Sequence, residues 1–171
     1  MSSGKKTKAF SRVLLVIWLI LLVWGVLFRF KVVPFSALLT GSSLNLVPFA
    51  GMFSSSAAVL LPQFFCCMAV FVPLGKLFTS LNKPKSVLGR VALGAAIGIA
   101  LEAAQYVFGL GYSDITDVIA YALGTLLGVV IHVGTSKLMR ARADMLYNVI
   151  ILIIELMLIA FFVAQAITRL F

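Results

Sequence analysis

Acidic residues are scarce in this chain. Five Asp and Glu among 171 residues, and 11% charged residues in all, cannot cover the surface of a water-soluble domain. Histidine occurs once and cysteine twice. A lone His132 cannot assemble a zinc site. Cys66 and Cys67 are adjacent, so on one helix they point apart and form no ordinary disulfide; they say nothing about redox compartment. A Gly-rich phosphate loop with its Lys is missing, as is a G-x-S-x-G nucleophile turn. No metal centre and no cofactor is expected, although Glu102, Asp114 and Asp117 are oxygen ligands that a Mg²⁺-assisted hydrolysis would use.

Hydrocarbon fills the space that charge leaves. Hydrophobic residues make up 63% of the chain, and the length suits one compact helical unit with no soluble domain beside it. The formal charge is +9, which in a soluble protein would suggest nucleic acid. Here the Lys and Arg fall between apolar runs. They read as topogenic charge that meets anionic lipid headgroups, and nucleic acid is not an expected partner.

Five stretches are long enough to cross roughly 30 Å of hydrocarbon, at approximately residues 11–30, 56–75, 88–109, 115–135 and 145–168. The expected fold is all-α: a polytopic bundle of about five transmembrane helices. Arg12 and Arg29 would snorkel from the first span to the two interfaces. Lys5, Lys6 and Lys8 ahead of the apolar run at 13–28 resemble a secretory signal. Trp24, Phe28, Arg29 and Phe30 stand where a small-residue cleavage site would be needed, so an uncleaved signal anchor is expected. Pro62 and Pro73 fall near the ends of the second span, where a kink costs little.

Orientation follows from the cations. Lys5, Lys6, Lys8, Arg12, Lys76, Lys83, Lys85, Arg90, Lys137, Arg140 and Arg142 lie on one side, against Arg29, Lys31 and Arg169 on the other. Eleven against three predicts the N-terminus inside and the C-terminus outside. The organisation is then a cytoplasmic basic N-terminus at 1–10, a four-helix membrane domain at 11–135, and a basic cytoplasmic loop with a fifth helix at 136–171. Residues 32–75 carry no charge. Within them the apolar segment near 42–53 is too short to cross, and is expected in the outer interface or as a re-entrant turn. A tight helical hairpin is expected at 109–113.

The sharpest pattern lies in the third and fourth spans. Gly94, Gly98, Glu102 and Gln105 form one helical stripe; Asp117, Tyr121, Gly124, Gly128 and His132 form another. Each stripe holds a G-x-x-x-G, which permits close backbone approach in lipid and by itself indicates packing only. Packing the stripes together would aim Glu102 and Gln105 at Asp117, just below the outer surface. Asp114 and Asp117 also suit the start of a helix, where a carboxylate caps free N–H groups. Glu102 is harder to explain structurally, because a carboxylate about two turns inside the membrane costs ~2.5–3.5 kcal/mol unless it is neutral, paired or facing water. Glu155, among Ile, Leu and Met in the fifth span, is either a functional group or a hydrogen-bonding link between helices. His132, at the inner end of its span, is expected at the headgroups.

Five short motifs follow one another along the chain. The segment Leu44-Asn45-Leu46-Val47-Pro48-Phe49 comes first, then Phe71-Val72-Pro73-Leu74-Gly75 and Glu102-Ala103-Ala104-Gln105. Asp114-Ile115-Thr116-Asp117-Val118-Ile119 and Leu123-Gly124-Thr125-Leu126-Leu127-Gly128 follow. In this order the motifs resemble the VanZ-like family. The resemblance spans about 42–134 and excludes the fifth helix. Two positions depart from the family pattern: Gly111 stands where an Arg is usual, and Tyr121 where Asn is frequent. Without that Arg a phosphate-binding role is weakened.

The resemblance implies a multi-pass protein of the bacterial plasma membrane, linked to teicoplanin-type glycopeptide susceptibility and without an established reaction. It carries over Asn45, Pro48, Glu102, Gln105, Asp114 and Asp117, to which the stripe adds Tyr121. The expected function is non-enzymatic: an outward-facing polar pocket engaging a membrane lipid, a lipid-linked cell-wall precursor or the lipoglycopeptide. The rivals are an enzyme acting on a lipid headgroup by carboxylate acid–base chemistry, and an accessory subunit bound to another membrane protein. Homo-oligomerisation is open.

Overall fold

The computed structural model describes residues 2–28, 43–50, 52, 57–110, 112–139 and 141–170. The chain runs α1 (Ser2–Leu27), β1 (Ser43–Asn45), α2 (Ala57–Leu81), α3 (Val87–Val107), β2 (Tyr112–Asp114), α4 (Ile115–Met139) and α5 (Ala141–Leu170). All five helices are long and apolar enough to cross a membrane. The protein is an all-α membrane bundle. Arg29, Lys31 and Gly111, with residues 42, 51 and 53 of the apolar segment, lie outside the described residues, so the readings placed on them have no structural counterpart here.

Helices α1 and α3 end two to three residues before their predicted spans do, whereas α2 and α4 run on past theirs, and α2 does so with consequence. It continues through Pro73, an interior position, and carries Lys76 and Ser80 inside the helix instead of in a loop. Proline is tolerated there because neighbouring helices satisfy the freed backbone in membrane bundles. Lys76, counted above as a loop cation, is buried. The turn after α2 is organised by Arg90, which donates to Pro84 O, Asn82 Oδ1 and Lys85 O. Ser86 caps α3 by accepting from Gly89 N at 3.0 Å.

Apolar surface is equally content in lipid, so helix pairing here rests on close approach and hydrogen bonds rather than on burial of grease. The pair α2–α4 is the most extensive, and glycine explains why. A Cβ at Gly75 would collide with the Thr125 backbone, one at Gly124 with Met68 O, and one at Gly128 with Val72 O. This corrects the pairing expected from the sequence. The α3 glycines do face α4, Gly94 against Thr125 and Gly98 against the Tyr121 ring, but Gly124 and Gly128 face α2. The two G-x-x-x-G motifs therefore do not face each other, and the stripes meet through Tyr121, which packs on Gly98 and bonds Glu102. Helix α4 is sandwiched, one face on each neighbour.

Around this sandwich packs a core of Leu14, Trp18 and Leu22 from α1, Phe71, Leu74 and Leu77 from α2, Leu101, Tyr121 and Ile151. Phe71 and Tyr121 stack with ring centres 4.3 Å apart. Trp18 is buried and donates its indole N–H to Val70 O at 3.1 Å. Trp24 meets Phe161 and Phe162 of α5, which is otherwise the least buried span.

A two-stranded parallel ladder sits where only a hairpin turn was expected. Strand β1 pairs with β2 in the register Ser43↔Tyr112, Leu44↔Ser113, Asn45↔Asp114. The apolar segment is thereby fastened to the α3–α4 connection. Val47 to Ala50 then form a turn, with Ala50 N on Val47 O, proline at its second position and φ +59° at Phe49. That combination is a type II turn, which explains Pro48 structurally.

Candidate functional site

The end of α3 is shaped by a left-handed residue. Gly109, at φ +61°, lets its own N–H reach Tyr106 O and that of Leu110 reach Gln105 O, the paired bonds of a Schellman cap. The chain turns at once into β2, whose Ser113 hydroxyl donates to Glu102 O at 2.8 Å. The connection thus folds back over the last turns of α3 and places Asp114 beside Glu102.

Glu102 is buried, and both its carboxylate oxygens are engaged. Oε1 accepts from the Tyr121 hydroxyl at 2.9 Å and Oε2 from the Asp114 amide at 3.1 Å. Asp114 is shared among three partners. Its Oδ1 accepts from Thr116 N at 2.8 Å, which caps α4 as expected, and its Oδ2 accepts from Asn45 Nδ2 at 3.1 Å. Asn45 is itself braced in an Asx turn by Val47 N, and Phe49 N donates to Thr116 Oγ1 at 3.0 Å. Asn45, Glu102, Asp114 and Tyr121 therefore form one continuous network.

Asp117 belongs to a neighbouring wall. Its Oδ2 accepts from Gln63 Nε2 of α2 at 2.8 Å, so its first-turn position serves a cross-helix contact. Gln105 turns from α3 toward α1 and donates to Val26 O at 2.6 Å. Neither makes the direct Gln105–Asp117 contact anticipated from the stripes. Both instead line a cavity of ≈ 190 Å³ with Gly25, Val26, Gln63, Cys66, Cys67, Val70 and Tyr121. Glu102 lies behind Tyr121 and faces a second, almost wholly apolar cleft of ≈ 280 Å³ beside the ladder, with Leu44, Leu46, Ile99 and Tyr106. Tyr121 and Glu102 form the partition between the two. Pro48 is exposed in its turn and lines neither, and Glu155 lies in α5, apart from both.

Chemically the arrangement is rich in acceptors. Cys67 Sγ lies 3.8 Å from the Tyr121 hydroxyl and donates toward it, extending the chain from Glu102 into the cavity. Among the described residues no ion pair involves Glu102 or Asp114, and no cluster of His, Cys, Asp and Glu could hold a metal ion. Sequence reasoning missed Gln63 and Cys67. A signal for Gln63 existed, since an amide in a charge-free apolar span invites the question asked of Glu102.

The comparisons with known proteins bear on this arrangement. The VanZ/LLP1 family model matches residues 15–140, most of the chain. This chain belongs to the VanZ/LLP1 family. It is 30% identical over 136 residues to Protein VanZ of Enterococcus faecium, covering 79% of this chain and 81% of that protein. No solved structure matches. The matched region contains α2, α3, α4, the ladder and both cavities, and it stops before α5.

A second polar network occupies the opposite end of the bundle. Lys76 pairs with Asn148 Oδ1 and lies 3.9 Å from Asp144 Oδ1; His132 Nε2 lies 3.7 Å from the same oxygen. Ser11 donates to Asn148 Oδ1 and stands 3.1 Å from Ser80 Oγ. His132, expected at the headgroups, is buried here, because α5 folds back over it and supplies Asp144. Glu155 is also buried, and among the described residues neither of its oxygens has a hydrogen-bond partner.

Proposed function

We propose that this chain is a bacterial plasma-membrane protein that lowers susceptibility to teicoplanin-type glycopeptides, by engaging a membrane amphiphile in the cavity walled by Tyr121 and Asp117. The observation that carries this reading is Glu102. Its carboxylate is buried in a span, held by the Tyr121 hydroxyl and the Asp114 amide, and set at the partition between a largely apolar cavity that carries the polar groups of Gln63, Gln105 and Asp117 and an almost wholly apolar cleft. Such a pair of compartments suits a molecule with a polar head and a hydrocarbon tail. Membership of the VanZ/LLP1 family and likeness to Protein VanZ support the link to glycopeptides. The excess of Lys and Arg at the other end supports an outward-facing site, with the N-terminus inside and the C-terminus outside.

The test is expression of the chain and its Glu102→Ala and Asp117→Asn variants in a glycopeptide-susceptible bacterium, with membrane abundance measured alongside. Teicoplanin susceptibility falls with the parent chain and returns with either variant at equal abundance. A variant that protects as well as the parent removes the cavity from the function.

A further inference from the structure

The cavity between α1, α2, α3 and α4 has walls whose hydrogen-bonding character is fixed by their other contacts. Gln105 is buried, and its amide nitrogen is committed to Val26 O, a backbone carbonyl that can only accept. Reversing the amide would set two oxygens against each other. Gln105 therefore must direct Oε1 away from α1, and that oxygen accepts nothing from the described residues. Gln63 repeats the logic: its nitrogen is held by the Asp117 carboxylate at 2.8 Å, which leaves its carbonyl oxygen over. Among the described residues the sealed polar atoms without partners are confined to His132, Asp144 and Glu155, so the two amide oxygens are not among them. Both residues line the cavity, which is the open space they share.

The same cavity is bounded by Asp117 and by Tyr121, whose hydroxyl hydrogen is already given to Glu102. Each glutamine nitrogen keeps a second N–H, and Cys66 and Cys67 carry thiols, but the lining holds one carboxylate and two amide oxygens and no Lys or Arg, so it is rich in acceptors and negative in charge. An anionic guest, such as a phosphate or a carboxylate, would meet the Asp117 carboxylate and no cation in the lining. A primary ammonium group is the complement, with three donors, no acceptor and a positive charge.

We propose that this cavity binds the primary ammonium group of a membrane amphiphile or of an amine-bearing peptide presented at the membrane. The inference rests on the reading of the cavity as the functional site and names its ligand chemistry. Gln105 Oε1, Gln63 Oε1 and the Asp117 carboxylate supply the acceptors. Val26, Val70 and Gly25 enclose the first carbons of the guest.

The test uses purified full-length protein in detergent and native mass spectrometry. The probes are phosphatidylethanolamine, its N-methyl and N,N-dimethyl derivatives, and phosphatidylcholine, all with the same chains. Charge is constant along the series while the N–H donors fall from three to none. Retention declines stepwise with each donor removed, by up to about tenfold per step for a charge-assisted bond. Equal retention of phosphatidylethanolamine and phosphatidylcholine overturns the proposal. Gln105→Leu flattens the series, and the parent comparison stands even where that variant folds poorly. Displacement of bound phosphatidylethanolamine by N-acetyl-lysine methylamide at matched ionic strength points to a peptide source, and resistance to it points to the lipid headgroup. Both agree with ammonium recognition. If the headgroup series fails while Glu102 and Asp117 variants still abolish protection, the ligand chemistry falls and the functional site stands. If the series holds while those variants protect normally, the cavity binds amines in a role other than glycopeptide susceptibility.

Discussion

The Tyr121 hydroxyl donates to Glu102 Oε1 at 2.9 Å across the α3–α4 contact, and the same tyrosine ring lies against Gly98. One side chain thus fixes both the position of the buried carboxylate and the distance between the helices that carry it.

Tyr121→Phe removes the hydroxyl and little else, since the ring remains stacked on Phe71. A buried acceptor that loses its donor costs about 1–3 kcal/mol. Thermal unfolding in detergent falls accordingly, membrane abundance stays near that of the parent, and teicoplanin protection drops toward that of Glu102→Ala. Full protection would show that the carboxylate's position does not matter.

Gly98→Ile and Gly124→Ile act at different interfaces. The first drives into the Tyr121 ring and disorders the site from the α3 side; the second drives into Met68 O and separates α2 from α4. Overpacking of this kind costs about 1–3 kcal/mol or more. Disulfide crosslinking between cysteine pairs placed on α2 and α4 weakens in Gly124→Ile and persists in Gly98→Ile. The opposite pattern would mean that α4 presents its glycines to α3.

The α5 network gives a stability prediction at the other end. Lys76 is buried, and Asp144 and Asn148 are its partners from α5. Asp144→Leu leaves that cation with Asn148 and the Tyr147 ring, 5.9 Å from its centre. The loss falls below the ~3–5 kcal/mol of a fully buried pair, because Asp144 is partly exposed. Adding Lys76→Met recovers part of it in a double-mutant cycle. A strictly additive cycle would show that the two residues do not interact.

Glu155 makes no hydrogen bond among the described residues although it is buried. Replacing it by Leu removes an unsatisfied polar group and raises stability by about 1–3 kcal/mol. Glu155→Gln inserts and protects like the parent. A severe loss of protection at normal abundance would bring α5 into the site.

Orientation is open to a direct measurement. A reporter active only outside the cytoplasm is silent when fused after residue 83 or 140, and active after residue 112 or 171, as the distribution of Lys and Arg requires. Activity at residue 83 inverts the topology and places the cavity inside.

Much of this protein is legible without coordinates. Charge poverty and five apolar runs point to a helical membrane bundle, since continuous runs of about twenty apolar residues suit helices, whereas the strands of a membrane barrel are shorter and alternate in polarity. The spacing of Gly94, Gly98 and Glu102 gives one face of α3, and that face does meet α4. Asp114 caps its helix as its position suggests. Periodicity, however, names a face and never its neighbour. The α4 glycines were equally compatible with α3 or α2, because lipid-facing and protein-facing apolar surfaces look alike in sequence.

Tertiary structure decided the rest. It set Gln63 against Asp117, fastened Asn45 to Asp114 through a ladder of parallel strands, and folded α5 over Lys76 and His132. Gln63 and Asp117 are 54 positions apart, and Asn45 and Asp114 are 69 apart. No local pattern encodes such a partnership, because a hydrogen bond between two helices depends on how both are rotated and how closely their backbones approach. The sequence alone determined that polar groups would have to be satisfied within the membrane; only the packing of α4 between α2 and α3 determined by which partners.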